Sequence, residues 1–512
     1  MRVVSVAEMR QIEERAGTEY GLDSPALMER AGRSVAEAVR DLLGGAVGGR
    51  SIVTLVGPGN NGGDGLVMGR YLTEWGAQVT NYRWREGTIE RAGVTTPAGD
   101  DLAKLCEALL DADVIVDALL GTGHARPLHP TMRAALALAT EERARRHTAQ
   151  IVALDLPSGL NADTGALDDW TVSADLTVTL AFPKPGLFTF PGANTVGHLI
   201  VGSIGLPDSM AIPPGLEWID EALARTLLPA RPLDSNKGTY GKVMILAGSP
   251  QFIGAAALSA RGALRSGAGL VTIATTPERA AIYAATLPEA TYHLLPGDDA
   301  KPSQRAENLL AGLGGYHALV VGPGLSQAPG IEPLLLALFA GLRALPEAER
   351  PRLLIDADGL NTLARVADWP ALLPPGAILT PHPGEMARLL GGEKVSGGGP
   401  DRFAVAERAA RDWGHNVILK GACTLIAAPE GATRLNWPPN PALATAGTGD
   451  VLAGVTGGLL AQGLAPFDAA ALGVYLHARA GLRVAARLGA AGAVASDIPD
   501  EVPLAIRDLR RG

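Results

Sequence analysis

The stretch IVTLVGPGNNGGDGL (residues 52–66) decides how the first half of the chain folds. An unbroken apolar, β-branched run leads into a glycine-rich turn. Gly57, Gly59 and Gly62 spell G-x-G-x-x-G directly after that run, where a dinucleotide-binding fingerprint sits at a strand-to-helix turn. The fingerprint also requires an Asp or Glu about 20 residues on, to hold a ribose hydroxyl. The next strand-like run, QVTNYRWR (residues 78–85), offers Asn81 and Arg83 but no carboxylate. The turn also carries Asn60, Asn61 and Asp64, three polar side chains that a pyrophosphate turn does not need. The glycines fit a doubly wound fold. The missing acid and the added polar groups leave open what the turn holds.

Outward from this stretch, short apolar runs alternate with longer helix-patterned segments. The first half has candidate strands at 51–56, 78–84, 114–119, 151–156, 176–182 and 198–204. They are nearly continuous in Val, Ile and Leu, as strands buried on both faces of a parallel sheet must be. The segment SPALMERAGRSVAEAVRDLL (residues 24–43) predicts a helix ahead of them, with Ser24 as N-cap and Pro25 at the first helical position. Prolines break the pattern at 206–232. A second series then follows at 242–247, 270–274, 318–322, 353–356, 377–380, 417–420 and 424–427. The expected organisation is an N-terminal Rossmann-like domain (1–215), a linker (216–231) and a C-terminal α/β domain (232–512).

Composition narrows the function. A length of 512 residues implies more than one core, and 47% hydrophobic against 19% charged residues leaves little case for disorder. The net charge of −9 gives no electrostatic footprint for nucleic acid. The cluster EERARRH (residues 141–147) carries Glu as well as Arg and reads as a solvated helix face. Two cysteines, Cys106 and Cys423, are too few for a disulfide framework or a metal knuckle. The start has charges where a signal peptide needs an apolar core, and no apolar run is long enough for a membrane span. A soluble, cytoplasmic α/β protein is expected, with self-association into a homo-oligomer.

In open parallel sheets, ligands gather at the carboxyl ends of strands. Three such ends in the first half are polar: GPGNNGGDG, then DALLGTGHARP with Asp117, then DLPSGLNADTG with Asp155 and Ser158. The oxygens of Asn61, Asp117 and Ser158 suit a hard monovalent or divalent cation. Asp155 is left as a candidate acid or base.

These residues carry a resemblance. SVAEMRQIEERAG with LMERAG, GPGNNGGDGLVMGRYL, DALLGTG and DLPSGLNADTG together resemble the epimerase domain of the NAD(P)H-hydrate repair enzymes. The resemblance implies that Asn60, Asn61, Gly62, Gly63 and Asp64, with Gly121, Thr122, Gly123, His124, Ala125, Arg126 and Pro127, wrap the hydrated nicotinamide nucleotide. It further implies that Asn61, Asp117 and Ser158 bind potassium and that Asp155 contacts the reacting ligand. The opening turn would then meet a damaged nicotinamide nucleotide as substrate, not as redox cofactor.

The second half is most informative at LATAGTGDVLAGVTGGLLAQGL (residues 443–464). Gly447 and Gly449 allow a tight turn, with a helix expected to begin near Asp450 or Val451. Exposed N–H groups at a helix start favour an anion such as a phosphate in transit, and Asp450 beside them is placed to take a proton from a hydroxyl. No G-x-x-x-x-G-K-[ST] motif exists, which argues against a P-loop kinase. The GTGD helix resembles the ribokinase-like superfamily. NKGTYGKVMILAG, VVGPGLS, LIDADGLN, LTPHPGEMARL and VILKGACTLI are similar to its ADP- or ATP-dependent NAD(P)H-hydrate dehydratases. By that resemblance Ala255, Gly324, His382 and Asp450 contact the hydrate. Lys420, Gly421, Ala422, Cys423, Thr424 and Gly449 contact the adenine nucleotide. Glu385 either backs the site or is structural.

The expectation is a bifunctional metabolite-repair enzyme. Its substrates are NADHX and NADPHX, its donor ADP or ATP with Mg2+, and its epimerase cation K+. The rival reading is a vitamin or sugar kinase fused to a non-catalytic nucleotide-binding module.

Overall fold

The apolar runs of the first half become β1 (Ser51–Val56), β2 (Gln78–Arg83), β3 (Thr88–Arg91), β4 (Val94–Pro97), β5 (Val114–Ala118), β6 (Gln150–Leu154), β7 (Leu176–Leu180) and β8 (His198–Gly202). The computed structural model describes residues 1–84, 88–91, 94–97, 102–123, 127–146, 148–207, 209–399 and 401–511. Two units emerge, one of Arg2–Gly215 and one of Leu216–Gly512 with Met1.

In the first unit the strand order is β4-β3-β2-β1-β5-β6-β7-β8. The six strands from β2 to β8 that the sequence predicts are parallel, and β3 and β4 add an antiparallel edge. Alternate residues of β1 enter two cores, Val53 and Leu55 on one face and Ile52 on the other. The chain leaves β1 towards β2 and returns on the other side at β5, a topological switch point where a crevice opens. Here the glycines of the opening stretch are required. A Cβ on Gly57 would lie 1.7 Å from the Leu119 carbonyl oxygen, and one on Gly62 would lie 2.1 Å from that of Gly57. The helix expected to be capped by Ser24 is instead capped by Asp23, whose carboxylate accepts from the Ala26 N–H at 3.0 Å. Ser24 is its first residue.

The second unit contains β9 (Leu216–Trp218), β10 (Lys242–Leu246), β11 (Leu270–Thr275), β12 (Thr291–Leu294), β13 (Ala318–Val321), β14 (Arg352–Ile355), β15 (Ile378–Leu379), β16 (Asn416–Leu419), β17 (Leu425–Ala427) and β18 (Thr433–Leu435). They form one sheet in the order β12-β11-β10-β13-β14-β15-β16-β17-β18-β9, with a switch point between β10 and β13. The passage expected as a linker belongs to this unit. β9 pairs with β18, and the helix Glu221–Leu227, capped by Asp220, buries Ala224 in the core. Prolines on both sides and a strand of only three residues hide that structure from periodicity.

Two helices, Ile253–Ser266 and Thr448–Ala461, pack backbone to backbone in this unit. A Cβ on Gly454 would lie 1.9 Å from the Ser259 carbonyl oxygen. The second helix starts at Thr448, ahead of the expected Asp450, because Gly447 (φ 90°) turns the chain into it. Among the described residues no helix is long and apolar enough to cross a membrane.

Candidate active sites

A cavity of about 680 Å³ opens at the carboxyl ends of β1, β5 and β6. Asn60, Asn61, Asp64, Gly121, Thr122, Gly123 and Asp155 line it, as do Glu13 of the helix Val6–Tyr20 and Lys184. Gly62 and Gly63 do not. Gly62 packs on Gly57 and Gly63 on Met28, so both shape the turn from behind. Pro127 is exposed and does not line the cavity, while His124, Ala125 and Arg126 lie outside the described residues.

Asp155 sits just after β6 with φ 67°. Asp tolerates this left-handed region better than most residues, yet holding it costs on the order of 1–3 kcal/mol. Its Oδ1 accepts from Lys184 Nζ at 2.5 Å, from the Leu180 N–H at 3.1 Å and from Thr179 Oγ1 at 3.3 Å. Lys184 is itself 1% exposed. The carboxylate is therefore one half of a buried ion pair and not the free group that strand-end reasoning predicts. Lys184 escapes sequence reasoning because AFPKPGLF has no site pattern of its own.

Two more carboxyls share the cavity. Burial, with Asp155 and Glu13 nearby, pushes Asp64 up to about 8, so it keeps its proton at neutral pH. Glu13 is raised by burial and by Asp155, against the pull of Lys184. Beside them, Asp117 Oδ1 accepts from Ser158 Oγ at 2.6 Å and Oδ2 from the Ser158 N–H at 2.8 Å. Ser158 Oγ also accepts from the Leu120 N–H at 2.9 Å. Burial raises the Asp117 carboxyl despite these bonds, and no basic side chain offsets its charge among the described residues. Asn61 is buried with its side chain against Gly121, and its Nδ2 has no partner among the described residues.

In the second unit the ends of β14, β15 and β16 meet the start of the helix Thr448–Ala461. Lys420 Nζ, just past β16, donates to Asp356 Oδ1 at 2.7 Å and lies 3.7 Å from Glu385 Oε2. Thr380 Oγ1 donates to the same Asp356 oxygen at 2.6 Å. A Cβ on Gly449 would lie 3.4 Å from Lys420 Nζ and 3.9 Å from Asp356 Oδ2, which fixes how near the helix start comes. The N–H groups of Gly449 and Asp450 have no backbone acceptor among the described residues. Burial would lower the Lys420 ammonium, but Asp356 and Glu385 raise it on balance. Burial and Asp356 push Asp450 up to about 7, against Lys420.

His382 caps the helix Pro383–Leu389. Its Nδ1 accepts from the N–H groups of Gly384 and Glu385 at 3.0 and 3.3 Å, which places the ring proton on Nε2, 3.4 Å from Glu385 Oε1. Burial, then Lys420 and Arg388, lower it, so the ring is neutral. Ala255 and Gly324 face each other across the ends of β10 and β13, a Gly324 Cβ lying 2.7 Å from that of Ala255. One turn further along the same helix, Ser259 Oγ donates to the Asp450 carbonyl at 2.9 Å. Asp356 is the residue that sequence reasoning left without a role; its position after a buried strand in LIDADGLN was the available signal.

Fold and sites together define a Rossmann-like unit joined to a ribokinase-like unit. A family model described as NAD(P)H-hydrate dehydratase matches residues 243–504, and one described as YjeF-related protein N-terminus matches residues 24–186. The chain is 39% identical to the bifunctional NAD(P)H-hydrate repair enzyme Nnr of Moorella thermoacetica, covering 99% of this chain and 97% of that one. It is 35% identical to the Escherichia coli enzyme of the same name, covering 96% and 91%. A solved structure of the ADP/ATP-dependent NAD(P)H-hydrate dehydratase from Bacillus subtilis, co-crystallized with ATP/Mg2+, is 30% identical. It covers 57% of this chain and 98% of that chain, with a TM-score of 0.48. The chain belongs to the family of bifunctional NAD(P)H-hydrate repair enzymes.

Proposed function

We propose that the first unit interconverts the R and S forms of NAD(P)H hydrate and that the second dehydrates the S form at the expense of ADP or ATP. The observation that carries this is the pairing of two proton-handling sites at two switch points: Asp155 with Lys184 and Asp64, and Asp450 at a helix start facing Lys420.

The hydrated carbon bears both a hydroxyl and the ring nitrogen. Protonating the hydroxyl lets it leave as water while the nitrogen lone pair forms a planar iminium, and water returns to either face. Asp64, protonated at neutral pH, supplies a donor to the departing hydroxyl. Asp155, held by Lys184, takes the proton of the water that returns. Potassium suits the pair Asp117 and Ser158 with Asn61, since an uncompensated buried carboxylate among oxygen donors favours a cation. When bound it would neutralise that charge and order the loops.

In the second unit Asp450 takes the hydroxyl proton, and the oxygen attacks the terminal phosphoryl of the nucleotide. The N–H groups of Gly449 and Asp450 receive charge from that phosphoryl. Phosphate is then expelled by the ring nitrogen, and loss of a proton from the neighbouring carbon restores the dihydropyridine. We place Ala255, Gly324 and His382 against the hydrate. Residues 420–424 and Gly449 are placed against the nucleotide. Magnesium bound to the nucleotide's phosphates would sit beside Asp356 and Glu385, which flank Lys420 and could hold it, and would offset charge on the transferring phosphoryl. Two free cysteines accord with a cytoplasmic setting.

The test is recovery of dihydronicotinamide absorbance from a mixture of both NADH hydrate epimers, with Mg2+ and either ADP or ATP. Recovery of the whole pool, and none beyond the spontaneous rate without nucleotide, supports both activities and names the donor. Recovery of the S fraction alone removes the epimerase reading. No recovery with either donor removes the dehydratase reading and leaves the kinase alternative for the second unit.

A further inference from the structure

The helix Asp401–Trp413 points one charged side chain inward. Arg402 is 3% exposed and forms no ion pair among the described residues. Its fork donates to four carbonyls. Nη1 reaches Gly397 at 2.9 Å and Cys423 at 3.2 Å, and Nη2 reaches Leu419 at 3.1 Å and Lys420 at 3.0 Å. Nε is buried without an acceptor among the described residues. Three of these carbonyls lie at or beside the turn 420–424, and the fourth belongs to the stretch SGGG (396–399). A Cβ on Gly421 would lie 2.5 Å from Nη2 and 2.7 Å from Nη1, so the turn is moulded around the guanidinium.

A guanidinium taken out of water with only carbonyl dipoles for company is costly. Its charge is compensated once an anion sits against the same turn. A lysine ammonium lacks the planar fork that spans carbonyls from two separate segments. We propose that Arg402 is the positioning residue of the nucleotide subsite: it locks the turn 420–424 to the stretch 396–399 and backs both with positive charge for a nucleoside di- or triphosphate. The proposal rests on the reading of 420–424 as the nucleotide contact.

The experiment uses the full chain, S hydrate, Mg2+ and whichever of ADP or ATP the wild type accepts, with epimerisation measured on the same preparations. Arg402→Gln is expected to raise the nucleotide KM about tenfold or more, as loss of charge-assisted hydrogen bonds implies, while kcat at saturating nucleotide falls less than about threefold. Epimerisation stays at the wild-type rate. Arg402→Lys does not restore the KM. Gly421→Ala displaces the guanidinium from the other side and raises the KM too, and adding it to Arg402→Gln changes little more. An unchanged nucleotide KM in Arg402→Gln, or full rescue by lysine, overturns the proposal. If the glutamine variant does not fold, an unchanged KM in Gly421→Ala does so. Wild-type dehydration that needs no nucleotide overturns the underlying reading instead, and is seen before any variant is made.

Discussion

Asp155 carries backbone strain and a buried charge at the same position, and each can be probed by itself. Asn shares the tolerance of Asp for the left-handed region, so Asp155→Asn keeps the φ of 67° while removing the proton carrier. Epimerisation is expected to fall by about 10²–10⁴ while dehydration of pure S hydrate is unchanged. Retained epimerisation removes Asp155 from the chemistry. Lys184→Met asks the other question. It strands a carboxylate that is 6% exposed, at a cost of roughly 3–5 kcal/mol to the first unit. In urea, loss of epimerisation should then precede loss of dehydration by a wider margin than in the wild type. The double variant Lys184→Met with Asp155→Asn should regain most of that stability, because the carboxylate stranded by loss of Lys184 is gone. A single variant as stable as wild type means that the pair is not dry.

At the scale of elements, the helix pair Ile253–Ser266 and Thr448–Ala461 sets where Asp450 stands, through the Ser259 hydroxyl on its carbonyl. Gly454→Ala places a methyl against backbone, which cannot rotate away, so the helices must part. Overpacking of this kind costs about 1–3 kcal/mol, and the expected result is a lower Tm for the second unit with dehydration impaired and epimerisation intact. An unchanged Tm denies that this contact is tight. The same contact explains what the sequence made legible. Asp450 announces itself because a glycine turn runs straight into a helix pattern there, and Asp155 because a long apolar strand run ends on it. Long Val/Ile/Leu runs mark all the central strands. Lys184 is hidden because it reaches Asp155 only through tertiary folding, 29 residues on. The edge strands β9 and β12, and β18 beside β9, are too short for alternation to be read. The protonation of Asp64 is also illegible, since it depends on burial beside Asp155 and Glu13.

At the scale of the whole molecule, the two activities respond to pH in opposite senses. With Asp450 as the proposed base, pushed up to about 7 by burial and Asp356, dehydration is expected to grow as pH rises through that value and then level. With Asp64 as the proposed donor, pushed up to about 8 by burial, epimerisation is expected to hold below that value and fall as pH rises through it. Repair of a mixed pool depends on both, and it runs best between the two. The direction of failure differs on each side. Below about 7 the second step is slow, and both epimers persist in their equilibrium ratio because the first step still exchanges them. Above about 8 the S form is consumed while the R form is stranded. The measurement is the epimer composition of the residual pool, followed by chromatography during turnover at an acid and an alkaline pH and corrected for spontaneous exchange. An R-enriched remainder on the alkaline side, abolished by adding a separate active epimerase, is the expected outcome. A remainder at the equilibrium ratio there would mean that epimerisation still keeps pace at alkaline pH, and the donor role of Asp64 would have to be withdrawn.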